Sequence, residues 1–263
     1  MSIHPTAVVS PGAQLGLEVA VGPFAVIEDG VSVGDGCEIR AHAVLRSGTR
    51  LGSANRVHEG AVLGGEPQDL SFQGGDSGVL VGERNTIREG VTIHRSTKPG
   101  GATVIGSDCF LMAYAHIAHD NRLGDRVIVA NNVLLAGHVE VGDRAFLSGA
   151  VGVHQFCRIG RLAMLGGCAK VVQDCLPFVI SDGNPARARG LNVVGLRRNG
   201  LAAAQLRTLK EAYRLLVRSG LPRDEALARM GALADPLVDE LVAFVRSSKR
   251  GFAHARRGSR DEA

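Results

Sequence analysis

Aliphatic residues recur along this chain at every sixth position. From Ile3 the series runs Val9, Leu15, Val21, Ile27, Val33, Ile39, Leu45, Leu51, Val57 and Leu63. It resumes in the same phase at Val81, Ile87 and Ile93, and again from Ile105 to Val171, so that 26 positions obey the rule. Six residues fit neither the 3.6-residue turn of an α-helix nor the longer unit of a hairpin meander. They fit the hexad of a parallel β-helix, in which each repeat makes one short strand and one turn. With three hexads per coil, 18 residues bring the chain back to the same face. Coils stacked at roughly 4.8 Å then predict a prism on the order of 40 Å tall.

The fourth residue after each aliphatic one is mostly small, as at Ala7, Ala25, Ala43, Ala61, Ala145 and Ala163. Four of the five cysteines (37, 109, 157 and 175) share this slot, which makes them small buried hydrophobes rather than reactive thiols. Residues 64–78 and 95–104 interrupt the repeat without changing its phase, so both are expected to be loops ejected from a prism corner. Long loops on a rigid scaffold are common carriers of function. The hexads stop near residue 190. Helical periodicity follows over 202–218, 223–234 and 236–247, and these helices are expected to cover the last coil, as a solenoid requires. The organisation expected is therefore a β-helical domain over 1–190 and a helical domain over 191–263. The tail 249–263, basic and glycine-containing, is expected to be disordered.

Composition changes the picture in three ways. The chain has 263 residues with 35 Gly, no Trp and 4% aromatic residues, so stacked small and β-branched side chains must form its core. No run approaches the ~18–20 apolar residues of a membrane span, and the first residues lack a signal-peptide pattern. Together with five cysteines lacking CxxC spacing, this predicts a cytoplasmic protein with free thiols. Finally, residues 191–263 carry 14 Lys/Arg against 8 Asp/Glu, a net of +6, while 1–190 carry a net of −2. A basic end suits an acidic macromolecular partner. Nucleic acid is disfavoured, because the basic tail has no interleaved aromatics.

The coil length also sorts the histidines. His119, His138 and His154 fall on three successive coils, with His116 just before the same corner. Asp120, Asn121, Asn131, Asn132 and Gln155 lie close by in sequence. A polar row on a prism of small residues marks a site. Two chemistries could use it: one imidazole as general base toward a hydroxyl, or three imidazoles holding zinc with one open position. The second is the arrangement of γ-class carbonic anhydrases, although the only close pair here is His116-x-x-His119.

The runs LMAYAHIAHD (111–120), NNVLLAGHV (131–139) and VHQFCRIG (153–160) closely resemble the UDP-N-acetylglucosamine O-acyltransferase family of lipid A biosynthesis. So do VGPF (21–24), PQDL (67–70), REGVTIHR (88–95), GGC (166–168) and GNPARARGLNVVGLRR (183–198), over about residues 3–248. The resemblance implies an all-β, left-handed parallel β-helix with a C-terminal α-helical cap. It implies transfer of an R-3-hydroxyacyl chain from acyl carrier protein to the glucosamine 3-hydroxyl of UDP-GlcNAc, with no metal and no cofactor beyond the carrier's phosphopantetheine.

By position, His119 matches the family's general base, Asp120 the residue that orients it, and Gly137 the glycine whose N–H meets the oxyanion. His116, His138, His154 and Gln155 match the lining of the sugar and acyl groove, and Gln68 and Asp69 match sugar contacts. Asn192 and Arg198 match residues that reach UDP. Gly167 matches the acyl-length ruler, and a glycine there favours a long chain. The resemblance also implies a homotrimer with sites between subunits, and acyl carrier protein docked on basic residues such as Arg197, Arg207, Lys210, Arg214 and Arg218. Three positions depart from the family: Ser71 where Lys is frequent, Val194 where Glu is common, and Asn199 in place of a second Arg. All three fall around the nucleotide sugar, which keeps N-acylation of a 3-amino sugar open beside O-acylation.

Overall fold

The computed structural model describes residues 1–254, and the remainder of the basic tail lies outside them. Among the described residues there are three sheets of eleven, nine and eight short strands, parallel throughout except for the final hairpin pair of the first, wrapped as the faces of a triangular prism. Strands pair with the strand one coil away: Ile3 with Val21 on the first face, Val9 with Ile27 on the second, Leu15 with Val33 on the third. The repeating aliphatic residue points inward and is buried in nearly every coil from Val21 to Val171. The first coil is the exception, with Ile3 43% exposed, since no coil lies beneath it.

From Glu18 onward nearly every regular corner turns through one residue with left-handed backbone angles. On the corner between the second and third faces these are Asp120, His138 and Phe156, with φ near 60°. Asn and Asp accept such angles more readily than other non-glycine residues. The small-residue slot behind each turn faces inward. In three coils it holds a fully or almost fully buried asparagine, Asn55, Asn85 or Asn121. Each amide serves backbone groups of neighbouring coils. Asn121 Nδ2 donates to the carbonyls of Ala118 (2.7 Å) and Ala136 (3.0 Å), and its Oδ1 accepts from Val139 N–H at 2.8 Å.

The two interruptions are loops, each flanked by longer strands than the hexad alone predicts: Val62–Gly65 with Gly78–Val81, and Thr92–His94 with Ala102–Ile105. The last coil gives way to an antiparallel hairpin, Val179–Asp182 with Arg187–Leu191. Four helices follow: α1 (Val193–Arg198), α2 (Ala203–Tyr213), α3 (Arg223–Gly231) and α4 (Pro236–Ser247). The expected first helix, 202–218, is α2 continued by a π-helical turn over Arg214–Arg218. Helix α1 escaped the sequence reading because six residues carry too little periodicity. Leu209, Leu216, Met230, Leu241 and Val245 pack with Leu162, Leu176 and Phe178 of the last coil, so the helices close the prism's open end.

Two arginines of the last coils tie α4 down. Arg161 pairs in bidentate fashion with Glu240, and Arg158 donates to the Phe244 carbonyl while lying 4.2 Å from that ring's centroid. Disorder was expected for the whole tail, and residues 249–254 depart from it. Phe252 and Ala253 are 3% exposed, and the chain runs along Asp174 through Ala253 N–H to the Asp174 carbonyl at 2.9 Å. An aromatic ring with an apolar seat on the last coil outweighs the local glycine and charge. Among the described residues no helix is long and apolar enough to cross a membrane.

Candidate active site

The second face ends at a corner where three coils superpose His119, Gly137 and Gln155, 18 residues apart. His138 stands one position further, at the left-handed residue of its turn, so the residue above His119 is Gly137 rather than a second histidine. A Cβ on Gly137 would lie 2.6 Å from His119 Nε2, so only glycine leaves room for the imidazole. Among the described residues the Gly137 N–H has no protein acceptor. Among the described residues the Gln155 N–H above it is likewise free, whereas at some turns between the third and first faces this N–H is taken by a side chain. Leu17 donates to Asp35 at 2.7 Å, Ser107 to Asp125 at 2.8 Å and Asp125 to Asp143 at 3.0 Å.

The His119 ring is 8% exposed as a residue and held from one side. Its Nδ1–H donates to Asp120 Oδ2 at 2.9 Å, leaving Nε2 toward the groove, where Asp69 Oδ2 stands 3.8 Å away. Asp120 is itself fastened by the second loop. It accepts from Ser96 Oγ, from Thr97 Oγ1 at 2.7 Å and from Thr97 N–H at 3.2 Å. Burial pushes this carboxyl up, but the hydrogen bonds from Ser96, Thr97 and His119 outweigh it and hold the group well below the usual carboxylate range. It is therefore an anion throughout the neutral range.

The neighbouring imidazoles are biased toward the neutral form. Burial lowers His138, against the opposing pull of Asp120, and burial with repulsion from His119 lowers His116. His138 meets His119 edge-on at 5.3 Å and stacks on Phe156 at 4.6 Å between centroids. His116 Nδ1 lies 2.7 Å from Thr92 Oγ1 on the adjacent strand, so its Nε2 remains free. On the first loop Asp69 accepts from Ser71 N–H (2.8 Å) and Ser71 Oγ (2.7 Å), which holds its carboxyl below the usual range. The Ser71 departure thus has a structural use: it ties down the loop carboxylate.

Of the residues expected from sequence, Gln68, Asp69, His116, His119, Gly137, His154 and Gln155 line one open groove of about 960 Å³ along the second face. Asp120 and His138 stand across the corner, in a second groove against the third face. Three lie elsewhere in this chain. Gly167 sits at the opposite edge of the second face, with Gly149 O 3.6 Å from where its Cβ would be. Asn192 is 7% exposed; it caps α1 by accepting from Gly195 N–H at 3.1 Å and donates to the Leu162 carbonyl at 3.0 Å. Arg198 is exposed at the end of α1. Sequence reasoning missed Ser96 and Thr97, because a loop outside the repeat carries no register. Thr92 and Lys170 were readable, since both occupy the outward strand position in column with His116, Leu134 and Gly152.

Metal ligation has two candidate places. His119, Asp120 and His138 offer atoms within 4.8 Å of one another, as do His58, Glu59 and Glu89. In the first, the Asp120 oxygens are already engaged by loop donors and the His119 Nδ1–H. In the second, Arg88 pairs in bidentate fashion with Glu89, and Arg40 Nη1 lies 3.3 Å from His58 Nδ1 and 4.0 Å from Glu59 Oε1, so fixed cations already stand against all three groups. His154, the third member of the sequence's zinc row, turns Nδ1 to the Gln155 carbonyl at 3.1 Å.

A triangular coil of hexads, a carboxylate-held imidazole at one corner and a free backbone N–H beside it define an acyltransferase of the hexapeptide-repeat class with a left-handed parallel β-helix. Residues 18–47 and 102–137 match the family model described as bacterial transferase hexapeptide (six repeats), and 174–253 match that of UDP-N-acetylglucosamine O-acyltransferase, domain 2. A Burkholderia orbicola protein named acyl-[acyl-carrier-protein]–UDP-N-acetylglucosamine O-acyltransferase is 52% identical, over 95% of this chain and 98% of its own. A Synechocystis protein of the same name is 48% identical over 78% of this chain and 74% of its own. Among solved structures, UDP-N-acetylglucosamine O-acyltransferase from Moraxella catarrhalis superposes with a TM-score of 0.94 at 40% identity, covering 97% of this chain and all of that one. The Bacteroides fragilis enzyme gives 0.94 at 38%, covering 96% and 100%. The chain belongs to the UDP-N-acetylglucosamine O-acyltransferase family.

Proposed function

We propose that this protein transfers an R-3-hydroxyacyl chain from acyl carrier protein to the 3-hydroxyl of the glucosamine unit of UDP-GlcNAc, the opening step of lipid A synthesis. The observation that carries the reading is the His119 ring, with Nδ1–H spent on the Asp120 anion and Nε2 open to the groove beside the free Gly137 N–H. In the reaction Nε2 takes the proton of the sugar hydroxyl as its oxygen attacks the thioester carbonyl. The oxyanion accepts from Gly137 N–H, an interaction worth roughly 3–4 kcal/mol when preorganised. The C–S bond then breaks, and the imidazolium returns its proton to the departing thiolate. Asp120 stabilises the imidazolium and fixes its tautomer. No metal or redox cofactor enters these steps.

Gln68, Asp69, His116, His138, His154 and Gln155 hold the sugar and the start of the acyl chain. Asn192 serves by capping the helix that presents Arg198 to the UDP phosphates, since its own side chain is buried. Gly167 leaves the far edge of the second face open to a long acyl chain. Arg198 and Gly167 stand apart from their own chain's His119, which supports a homotrimer whose sites are completed by neighbouring subunits. Arg197, Arg207, Lys210 and Arg218 surround a groove with Leu191, Leu206 and Tyr213 beneath, a surface suited to the acidic carrier protein. Acyl carrier protein and a nucleotide sugar as substrates put the reaction in the cytoplasm.

The test is a mass-resolved transfer assay on wild type and His119→Ala. It offers UDP-GlcNAc and its 3-amino analogue with 3-hydroxyacyl carrier proteins of ten to sixteen carbons. Product on UDP-GlcNAc that disappears in the variant is the expected result. Product on the amino sugar alone would move the acceptor to nitrogen. Equal product with and without His119 would remove the base from the mechanism.

A further inference from the structure

We propose that Arg95 is a positioning residue for the first loop, clamping it on both sides of the Gln68–Asp69 tip and thereby setting the sugar-side carboxylate against His119. The inference rests on the reaction assigned above. It starts from chain order: the strand Thr92–His94 ends beside the second loop, and Arg95 N–H extends its pairing by donating to the Gly65 carbonyl at 2.9 Å. From there the guanidinium reaches into the first loop. Its Nη2 donates to Glu66 Oε1 at 3.2 Å, and its Cζ lies 5.4 Å from the centre of the Phe72 ring. Glu66 and Phe72 bracket the five residues that carry Gln68 and Asp69.

The clamp is asymmetric in solvent. The Arg95 side chain is 18% exposed and that of Glu66 is 76% exposed, so the loop lies over the arginine rather than the reverse. Arg95 Nε is buried without a hydrogen-bond partner, a cost that a site of purely local packing gains nothing by keeping. The tip has few other ties. Among the described residues, 66–73 make no further side-chain hydrogen bond to the prism, and the approach of Asp69 to His119 stays at 3.8 Å. The two residues after Arg95, Ser96 and Thr97, fasten Asp120 on the other side of the same imidazole. One tripeptide, Arg95-Ser96-Thr97, thus places the carboxylates on both sides of His119, Asp69 by way of the arginine and its loop and Asp120 by direct hydrogen bonds from the two hydroxyls.

These two roles separate kinetically. Arg95→Met keeps the aliphatic stem and loses the fork and the charge. It is expected to raise KM for UDP-GlcNAc about tenfold while kcat stays within about threefold. Arg95→Lys keeps the ion pair without the planar stack, and should give a smaller rise. Thr97→Val should do the opposite, lowering kcat with KM little changed. Combining Arg95→Met with Glu66→Gln should add nothing further, because both act on one contact. An independent readout is cleavage of the intact chain by chymotrypsin at Leu70 and Phe72, which should quicken severalfold in Arg95→Met. Unchanged KM with unchanged cleavage, a fall in kcat alone, or additive effects of Arg95 and Glu66 would overturn the proposal. A wild-type protein inactive on the sugar would instead sink the assigned reaction, and the cleavage rates would still decide the clamp.

Discussion

Replacing Gly137 with alanine tests whether the His119 imidazole, the base in the proposed reaction, is held by shape as well as by its carboxylate. The backbone at Gly137 is not among the left-handed turn residues, so alanine adds no strain of its own. The added Cβ, however, would stand 2.6 Å from His119 Nε2, against an ordinary contact of 3.4–4 Å. The ring must therefore retreat by about 1 Å. Its Nδ1–H is 2.9 Å from Asp120 Oδ2 and would be drawn out of hydrogen-bonding range, losing about 2 kcal/mol of charge-assisted contact. A misplacement of this size at a reacting group is worth ~10²-fold in rate. Gly137→Ala is expected to lower kcat about a hundredfold while the protein stays folded, its melting temperature falling by only several degrees in step with the lost contact. The variant keeps the N–H offered to the oxyanion, so the loss reports on the base. A double variant with His119→Ala separates the two: no loss beyond His119→Ala alone is expected, whereas a further loss would mean that the donor had moved as well. A single variant within about threefold of wild-type kcat would refute the steric argument.

Two further outcomes follow from buried groups behind the corner. Asn121→Ala strips partners from the Val139 N–H and from the Ala118 and Ala136 carbonyls, and should cost about 3 kcal/mol in a denaturant titration; a loss under about 1 kcal/mol would mean that water replaces the amide. His94 is buried and pushed down to about 4, by burial first and then by repulsion from His116 and His119. Its folded value is depressed, so its contribution to stability is full above the ordinary 6.5 and is lost as pH falls toward 4. The loss amounts to about 2 kcal/mol by pH 5, and His94→Gln should flatten that part of the stability profile; an unchanged profile would remove His94 as its source.

Repeat architecture explains why so much was legible in one chain. Each coil contacts only its neighbours, so the period, the inward slot and the corner positions are local properties that 18-residue arithmetic recovers. The same arithmetic brought His116, His119, His154 and Gln155 to one face, where the structure has them. It went astray where side chains leave the register. The histidine row looked like a stack, yet turn geometry put His138 at the left-handed position and glycine over His119. Cysteines 37, 109, 157 and 175 are buried as their slot required.

The sequence by itself determined the coil, because a buried aliphatic residue every six positions admits one periodic solution. It also determined the end of that coil, where the hexads give way to helical spacing. Only the tertiary structure decided which groups surround the imidazole. Ser96, Thr97 and Arg95 come from a loop with no repeat, and their reach to Asp120 and Glu66 depends on where that loop folds back. The same holds for Asn192, buried under the last coil, and for Phe252, seated there by an apolar surface that forms only when the helices close the prism. Periodic burial is written residue by residue, whereas contacts across a loop arise from the closure of the whole chain.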